Sequence, residues 1–170
     1  AVASAHNNRS RPELQGLFGM FANYMLLRSD VRSASTFREL LARVRATCLE
    51  GFEHQALPYL ELVALLRPSP NDSRRPLCQV GFDFSTSTAT QLEQSSLTLT
   101  PVPVDLGLVM NDLKLYVAQG PDALAGVFEY KADLFEPATL HALREDFLAL
   151  LRWIAEDADR PLGALPGYRA

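Results

Sequence analysis

Three histidines are the first place to look for a base or a metal ligand: His6, His54 and His141. Acyl transfer and hydrolysis need a group that exchanges a proton near neutral pH, and imidazole is the usual one. His6 falls in the polar, turn-like run His6-Asn7-Asn8-Arg9-Ser10, His54 ends a long helical pattern, and His141 lies inside the last one. No two are adjacent, and none has the spacing by which a zincin helix holds its metal. Cys48 and His54 would make a nucleophile and base only on a shared helix face, and their spacing turns them apart. A Gly-x-Ser-x-Gly elbow is absent, as are glycine-rich phosphate loops. The carboxylate pairs Glu50 with Glu53 and Glu145 with Asp146 fall on helices of ordinary amphipathic character, where solvation accounts for them. Cys48 and Cys78 make no metal spacing and sit among apolar neighbours. They are expected as buried thiols, which implies a reducing, cytoplasmic setting. The residues alone assemble no catalytic constellation.

The elements that would position these groups read clearly in places. Ala1 to Ala5 is apolar enough for a strand, and Pro12 opens a short helix through Leu17 with Gly19 closing it. Phe21 to Arg28 reads as a second strand. Thr36-Phe-Arg-Glu39 has the form of a capping box. After it Phe37, Leu40, Leu41, Val44, Cys48, Leu49 and Phe52 recur at helical spacing. A shorter helix starts at Pro58, buries Tyr59, Leu62, Val63 and Leu66, and is stopped by Pro68 and Pro70. Cys78, Val80, Phe82 and Phe84 alternate with Gln79, Gly81 and Asp83, the pattern of a strand with one wet or lined face.

Ser85 to Ser96 is nearly all small and polar, the composition of a loop or extended arm. Pro101 and Pro103 confine Leu97 to Val104 to an edge or crossover. Leu113 to Val117 and Leu124 to Tyr130 form a hairpin around Gln119-Gly-Pro-Asp122. Pro137 opens a last helix whose buried stripe is Leu140, Leu143, Phe147, Leu150, Leu151 and Ile154. Strands mixed with helices give an α/β or α+β class with a mixed sheet. The pattern loosens from Arg160; residues 1–165 are expected to form one unit, with 166–170 as a tail.

Composition narrows the function. The 170 residues are 48% apolar and 21% charged, with a formal net charge of −4. Arginines are scattered and Lys114 and Lys131 are the only lysines, so there is no basic footprint for nucleic acid or anionic lipid. No apolar run approaches the roughly 20 residues of a membrane helix. The start shows no signal-peptide pattern and no initiator Met, so Ala1 is expected to lie inside a longer polypeptide.

Several stretches carry a family resemblance. Arg9-Ser-Arg-Pro-Glu-Leu-Gln-Gly-Leu-Phe-Gly-Met-Phe-Ala-Asn23 resembles the R-x-R-P-E-L-E-x-L-I-G-x-F-V-N-T segment of nonribosomal peptide synthetase condensation domains. Glu53 to Val63 resembles their H-Q-D-L-P-F-E-x-L-V segment, and Ser73 to Val80 their S-R-N-P-L-F-Q-V. Asp112-Leu-Lys-Leu is similar to the F-D-L-T-L strand, and Gly126 to Phe135 to the G-x-x-x-Y-x-x-D-L-F hairpin. They occur in family order and at family spacing.

The resemblance implies one chloramphenicol-acetyltransferase-like lobe, the C-terminal one of two set in a V. In such domains an acyl or peptidyl thioester on one carrier protein is attacked by an amine on another, and an amide forms. The H-H-x-x-x-D-G motif of the N-terminal lobe is absent here, so this lobe is expected to be inactive alone. By the same resemblance Asn23 and Tyr24 line the substrate tunnel, and Arg74 and Arg75 contact carrier protein or the phosphate of its phosphopantetheine. His54, Gln55, Pro58, Pro76 and Asp112 are structural. The polar stretch after Phe84 is the arm that crosses to the other lobe. No cofactor is bound directly; substrates arrive on carrier phosphopantetheine.

Some positions depart from the family pattern: Tyr24 replaces a small hydroxyl residue, Ala56 and Leu60 replace acids, and Pro70-Asn71 replaces Arg-Asp. Two readings stay open, a lobe of an active domain and a naturally truncated scaffold or carrier-interaction module in a peptide or polyketide assembly line. A half of some other acetyltransferase-like enzyme fits the fold but not the motifs. Expected partners are the N-terminal lobe or a neighbouring synthase domain, carrier proteins, and a second copy through the exposed lobe face.

Overall fold

A computed structural model describes residues 1–32, 34–68, 75–86, 102, 104 and 107–165. The elements are β1 (Val2–His6), α1 (Pro12–Gln15), β2 (Asn23–Leu27), α2 (Phe37–Glu53), α3 (Tyr59–Leu66), β3 (Val80–Thr86), β4 (Leu113–Gln119), β5 (Leu124–Tyr130) and α4 (Pro137–Glu156). The strands form one sheet in the order β2-β1-β3-β4-β5. β1 pairs antiparallel with β2 and β4 with β5, whereas β3 runs parallel to both its neighbours. This is the mixed α/β sheet that the sequence implies.

Strand register sorts the side chains into two faces. Met25 and Leu27 of β2, the phenylalanines of β3 and Phe128 of β5 share one face. Both long helices lie there. A methyl group at Gly51 of α2 would collide with Met25 and crowd Leu27, so the missing side chain lets α2 seat on β2. Phe147 of α4 meets Phe128 edge to face, with ring centroids 6.3 Å apart. The opposite face carries Tyr24, Ala3, Gly81, Asp83, Lys114, Tyr116, Val127 and Glu129.

Local signals hold where a side chain sets the backbone. Thr36 Oγ1 accepts the Glu39 N–H at 3.2 Å, and the Glu39 carboxylate accepts the Ser35 N–H at 2.8 Å, so the box closes one residue early. That main-chain bond is the chief reason the Glu39 carboxyl lies below its usual range. After α4 the chain returns to this helix start. Leu162 N–H donates to Ser35 O at 2.8 Å, Arg38 forms a two-pronged pair with Asp159, and Leu162 is buried. Residues 160–165 are therefore docked rather than loose; residues 166–170 lie outside the described ones.

Other expectations need correction. α1 ends at Gln15, well before Gly19, and β2 begins at Asn23 rather than Phe21. The helix stripes are less covered than their periodicity suggests: Leu41, Leu49, Leu66 and Leu151 are 54, 56, 59 and 44% exposed. Phe52 and Leu143 are also exposed. Periodicity tells which residues share a face, not how much partner surface meets it, and α2 packs chiefly on a single edge strand. Cys78 lies before β3, buried, behind a tight turn in which its N–H donates to Pro76 O at 2.8 Å with Leu77 at φ 66°. Ser85 and Thr86 continue β3 instead of starting a loop. The rest of the proposed crossing arm lies outside the described residues.

Candidate functional site

Asn23 spends its whole side chain on main chain. Its Nδ2 donates to Leu57 O at 2.8 Å and Gln55 O at 3.3 Å, while Oδ1 accepts the Tyr59 N–H at 3.0 Å. His54 caps α2 and its carbonyl accepts the Leu57 N–H, so the turn 54–58 is braced on both sides. Pro58 sits at the N-cap of α3 without a side-chain cap, and Asn23 supplies one from the neighbouring strand. The Asn23 and His54-Gln55-x-x-Pro58 segments thus form one structural unit.

Tyr24, next in the strand, points to the opposite face. Arg75 lies over its ring at 3.9 Å and over the Tyr59 ring at 4.7 Å, the two rings meeting edge to face. Arg75 Nη1 is out of solvent and has no hydrogen-bond acceptor among the described residues. Tyr59 donates its hydroxyl to Pro76 O, tying α3 to the turn before β3. Arg74 lies outside the described residues. Asp112 is buried, accepts Lys131 Nζ at 2.8 Å, and anchors the start of β4 through its N–H to Gln79 O at 2.9 Å.

The polar face has a centre that the motifs did not announce. Lys114, 5% exposed, lies across Gly81 and reaches Asp83 at 2.6 Å. A Cβ on Gly81 would fall 2.9 Å from Lys114 Cγ and 3.1 Å from Asn111 Oδ1, so glycine is what admits the lysine stem. Asp83 also accepts the Ala5 N–H at 2.8 Å, joining β1 to β3 just past their one register pair, Ala3 with Gly81. Lys114 Nζ stands 4.2 Å from the centroid of the Tyr116 ring, and the Tyr116 hydroxyl donates to Glu129 at 3.2 Å. Burial pulls the Lys114 ammonium down, but Asp83 and Tyr116 together outweigh it and hold it above the ordinary lysine value. Asn111 is 1% exposed, and among the described residues both polar atoms of its side chain lack partners.

None of the histidines joins this network. His6 projects to the helix-covered face with both ring nitrogens out of solvent, which lowers its pKa; His54 at the end of α2 and His141 in α4 are exposed. Among the described residues no group of His, Cys, Asp and Glu could hold a metal ion, and no helix is long and apolar enough to cross a membrane. Two signals for the polar centre were present in the sequence: the scarcity of lysine, and the alternation that makes Asp83 part of a lined face. The F-D-L-T-L comparison also has Phe and Thr where this chain has Asn111 and Lys114.

A family model described as the condensation domain matches residues 1–166. One linear gramicidin synthase polypeptide from Brevibacillus parabrevis is 36% identical over 167 residues, which is 97% of this chain and 3% of that protein. A solved complex of the X-domain and OxyB from teicoplanin biosynthesis superposes with a TM-score of 0.77 at 26% identity, covering 96% of this chain and 37% of that one. The condensation domain from monacolin K polyketide synthase MokA superposes with a TM-score of 0.82 at 21% identity, over 95% of this chain and 38% of that one. The chain therefore spans a small part of the curated relative and less than two-fifths of these structural ones.

Proposed function

This chain belongs to the condensation-domain family, and on that premise we propose that it is the C-terminal lobe of an amide-forming domain, the wall against which carrier-tethered substrates are held. The observation that carries the reading is the sheet face away from both long helices, which concentrates Tyr24, Arg75, Lys114, Asp83, Tyr116 and Glu129. A face so provided with polar side chains, and left uncovered by both long helices, fits a surface that meets another lobe across a substrate channel.

In this reading Tyr24 lines the channel, and Asn23 acts at one remove by fixing the turn that ends α2. Arg75, lacking a carboxylate partner among the described residues, and its neighbour Arg74 are the contacts for the phosphate of carrier phosphopantetheine. His54, Gln55, Pro58, Pro76 and Asp112 hold the frame. The base for the acceptor amine comes from the other lobe, because no histidine lies on the polar face. Residues 1–165 act as one unit. The exposed apolar side chains, among them Phe18 and Met20 at 105 and 91%, are covered by that lobe or by a second copy of the chain.

The test is amide formation from carrier-bound thioester and amine. The chain alone should give none, and the polypeptide joined to an H-H-x-x-x-D-G lobe should turn over. Amide formation by the chain alone would overturn the reading. A parent polypeptide with a different domain type directly before this one would select the non-catalytic scaffold instead.

A further inference from the structure

Beside the β4–β5 hairpin, on the Lys114 side of the sheet, a cavity of about 590 Å³ opens, within the range of small-molecule sites. Val104, Leu108, Val109 and Val127 wall it, and Tyr116, Glu129 and Tyr130 bring polar side chains to its lining. Among the described residues Glu129 is the one charged residue in its lining. The Tyr116 hydroxyl fixes one carboxylate oxygen at 3.2 Å, and among the described residues no cation pairs with the other. Lys114 stands on the Tyr116 ring, but its charge is answered by Asp83 at 2.6 Å. The acid is therefore held in place with its charge uncompensated. Around it Val104, Leu108 and Val127 are 73, 77 and 64% exposed, an apolar rim left bare beside a single acid.

We infer that this cavity binds an alkylammonium group, the ammonium on Glu129 and the alkyl chain along Val104, Leu108 and Val127. A fixed carboxylate gives an ammonium a charge-assisted hydrogen bond. The apolar walls cover a hydrocarbon chain but offer a hydrated inorganic cation nothing, and the acid repels carboxylates. A basic aminoacyl side chain and a free aliphatic amine share this chemistry. The inference rests on the reading that this face meets substrate, and it names a feature of that substrate.

The test uses the full chain labelled with ¹⁵N and titrated with pentylammonium chloride, Nα-acetyl-lysine N-methylamide, pentan-1-ol and sodium pentanoate. Both amines should give saturable shifts at the amides of Tyr116, Val127 and Glu129; the alcohol should bind several-fold more weakly and the carboxylate not at all. Glu129→Gln should weaken amine binding by roughly five-fold or more, as loss of a partly exposed ion pair implies. Tyr116→Phe should weaken it less. Spectra that overlay away from the cavity certify that each variant folds. Tighter binding of the capped lysine assigns the ammonium to an aminoacyl side chain, and tighter binding of pentylammonium to a free amine. No saturable shift with either amine, or equal binding by Glu129→Gln, overturns the inference. Because binding is read on this chain alone, that failure is distinct from failure of the amide-forming assay.

Discussion

Asn23 of β2 caps the helix that begins at Tyr59: its Oδ1 accepts the Tyr59 N–H at 3.0 Å, while its Nδ2 holds the carbonyls of Gln55 and Leu57. One carboxamide thus joins a strand, the end of α2 and the start of α3. Asn23→Ala should cost about 1–3 kcal/mol, because three main-chain groups lose partners in a half-buried place. Chemical denaturation measures the loss, and hydrogen exchange locates it. The Tyr59 amide should exchange faster while the β4–β5 hairpin amides keep their relative protection. Unchanged stability would show that water replaces the clamp freely.

The space over Gly81 is taken by Lys114, so Gly81→Ala should destabilise the chain by about 1–3 kcal/mol through overpacking. The contacts at 2.9 and 3.0 Å are with the lysine's Cγ and Cδ, a flexible stem, which favours the low end. Adding Lys114→Ala removes the obstruction. The double variant should therefore lose less than the sum of the two singles, with a coupling of at least about 0.5 kcal/mol. Strict additivity in a double-mutant cycle would place the strain elsewhere.

His6 gives a pH dependence with a definite sign. Both ring nitrogens are out of solvent and without partners among the described residues, and burial lowers its pKa from the free value. The unfolded chain then binds the proton more readily than the folded one. The stabilisation is present above the unfolded histidine value, near about 6.5, and is lost as pH falls through the folded one. His6→Phe should remove this slope from the melting temperature measured between neutral and mildly acidic pH. If the variant and the parent lose stability in parallel over that range, His6 is not the cause.

What the sequence made legible follows what each signal encodes. The Thr36 cap and the hairpin around Gly120 are local, and the residues themselves set them. Helix burial was overestimated, because Leu49 and Leu66 obey the period yet stay more than half exposed. The polar centre was the least legible part. Lys114 and Asp83 lie on strands separated by a long connection, and only the parallel register of β3 with β4 brings them together. Sequence showed Asp83 on a lined face; it did not show what lay across from it.

That pair supports the most discriminating stability measurement. Lys114 and Asp83 are 6 and 20% exposed at their side chains, so each has given up much of its hydration, and the 2.6 Å contact offsets part of that loss. Among the described residues, Lys114→Met leaves Asp83 with the Ala5 N–H as its remaining hydrogen bond. Removal of one partner from a fully buried pair costs about 3–5 kcal/mol; the residual exposure of Asp83 reduces the expectation to about 2. Adding Asp83→Asn removes the stranded charge and should recover most of the loss. The pH profile gives an independent check. The folded Lys114 value is raised, so its contribution is present below the unfolded lysine value, near about 10.4, and disappears as pH rises through the folded one. Lys114→Met should therefore lack the alkaline decline that the parent shows. A parent chain whose stability is flat through that range would mean that the ammonium gains nothing from Asp83 and Tyr116, and that the pair serves only to fill the space above Gly81.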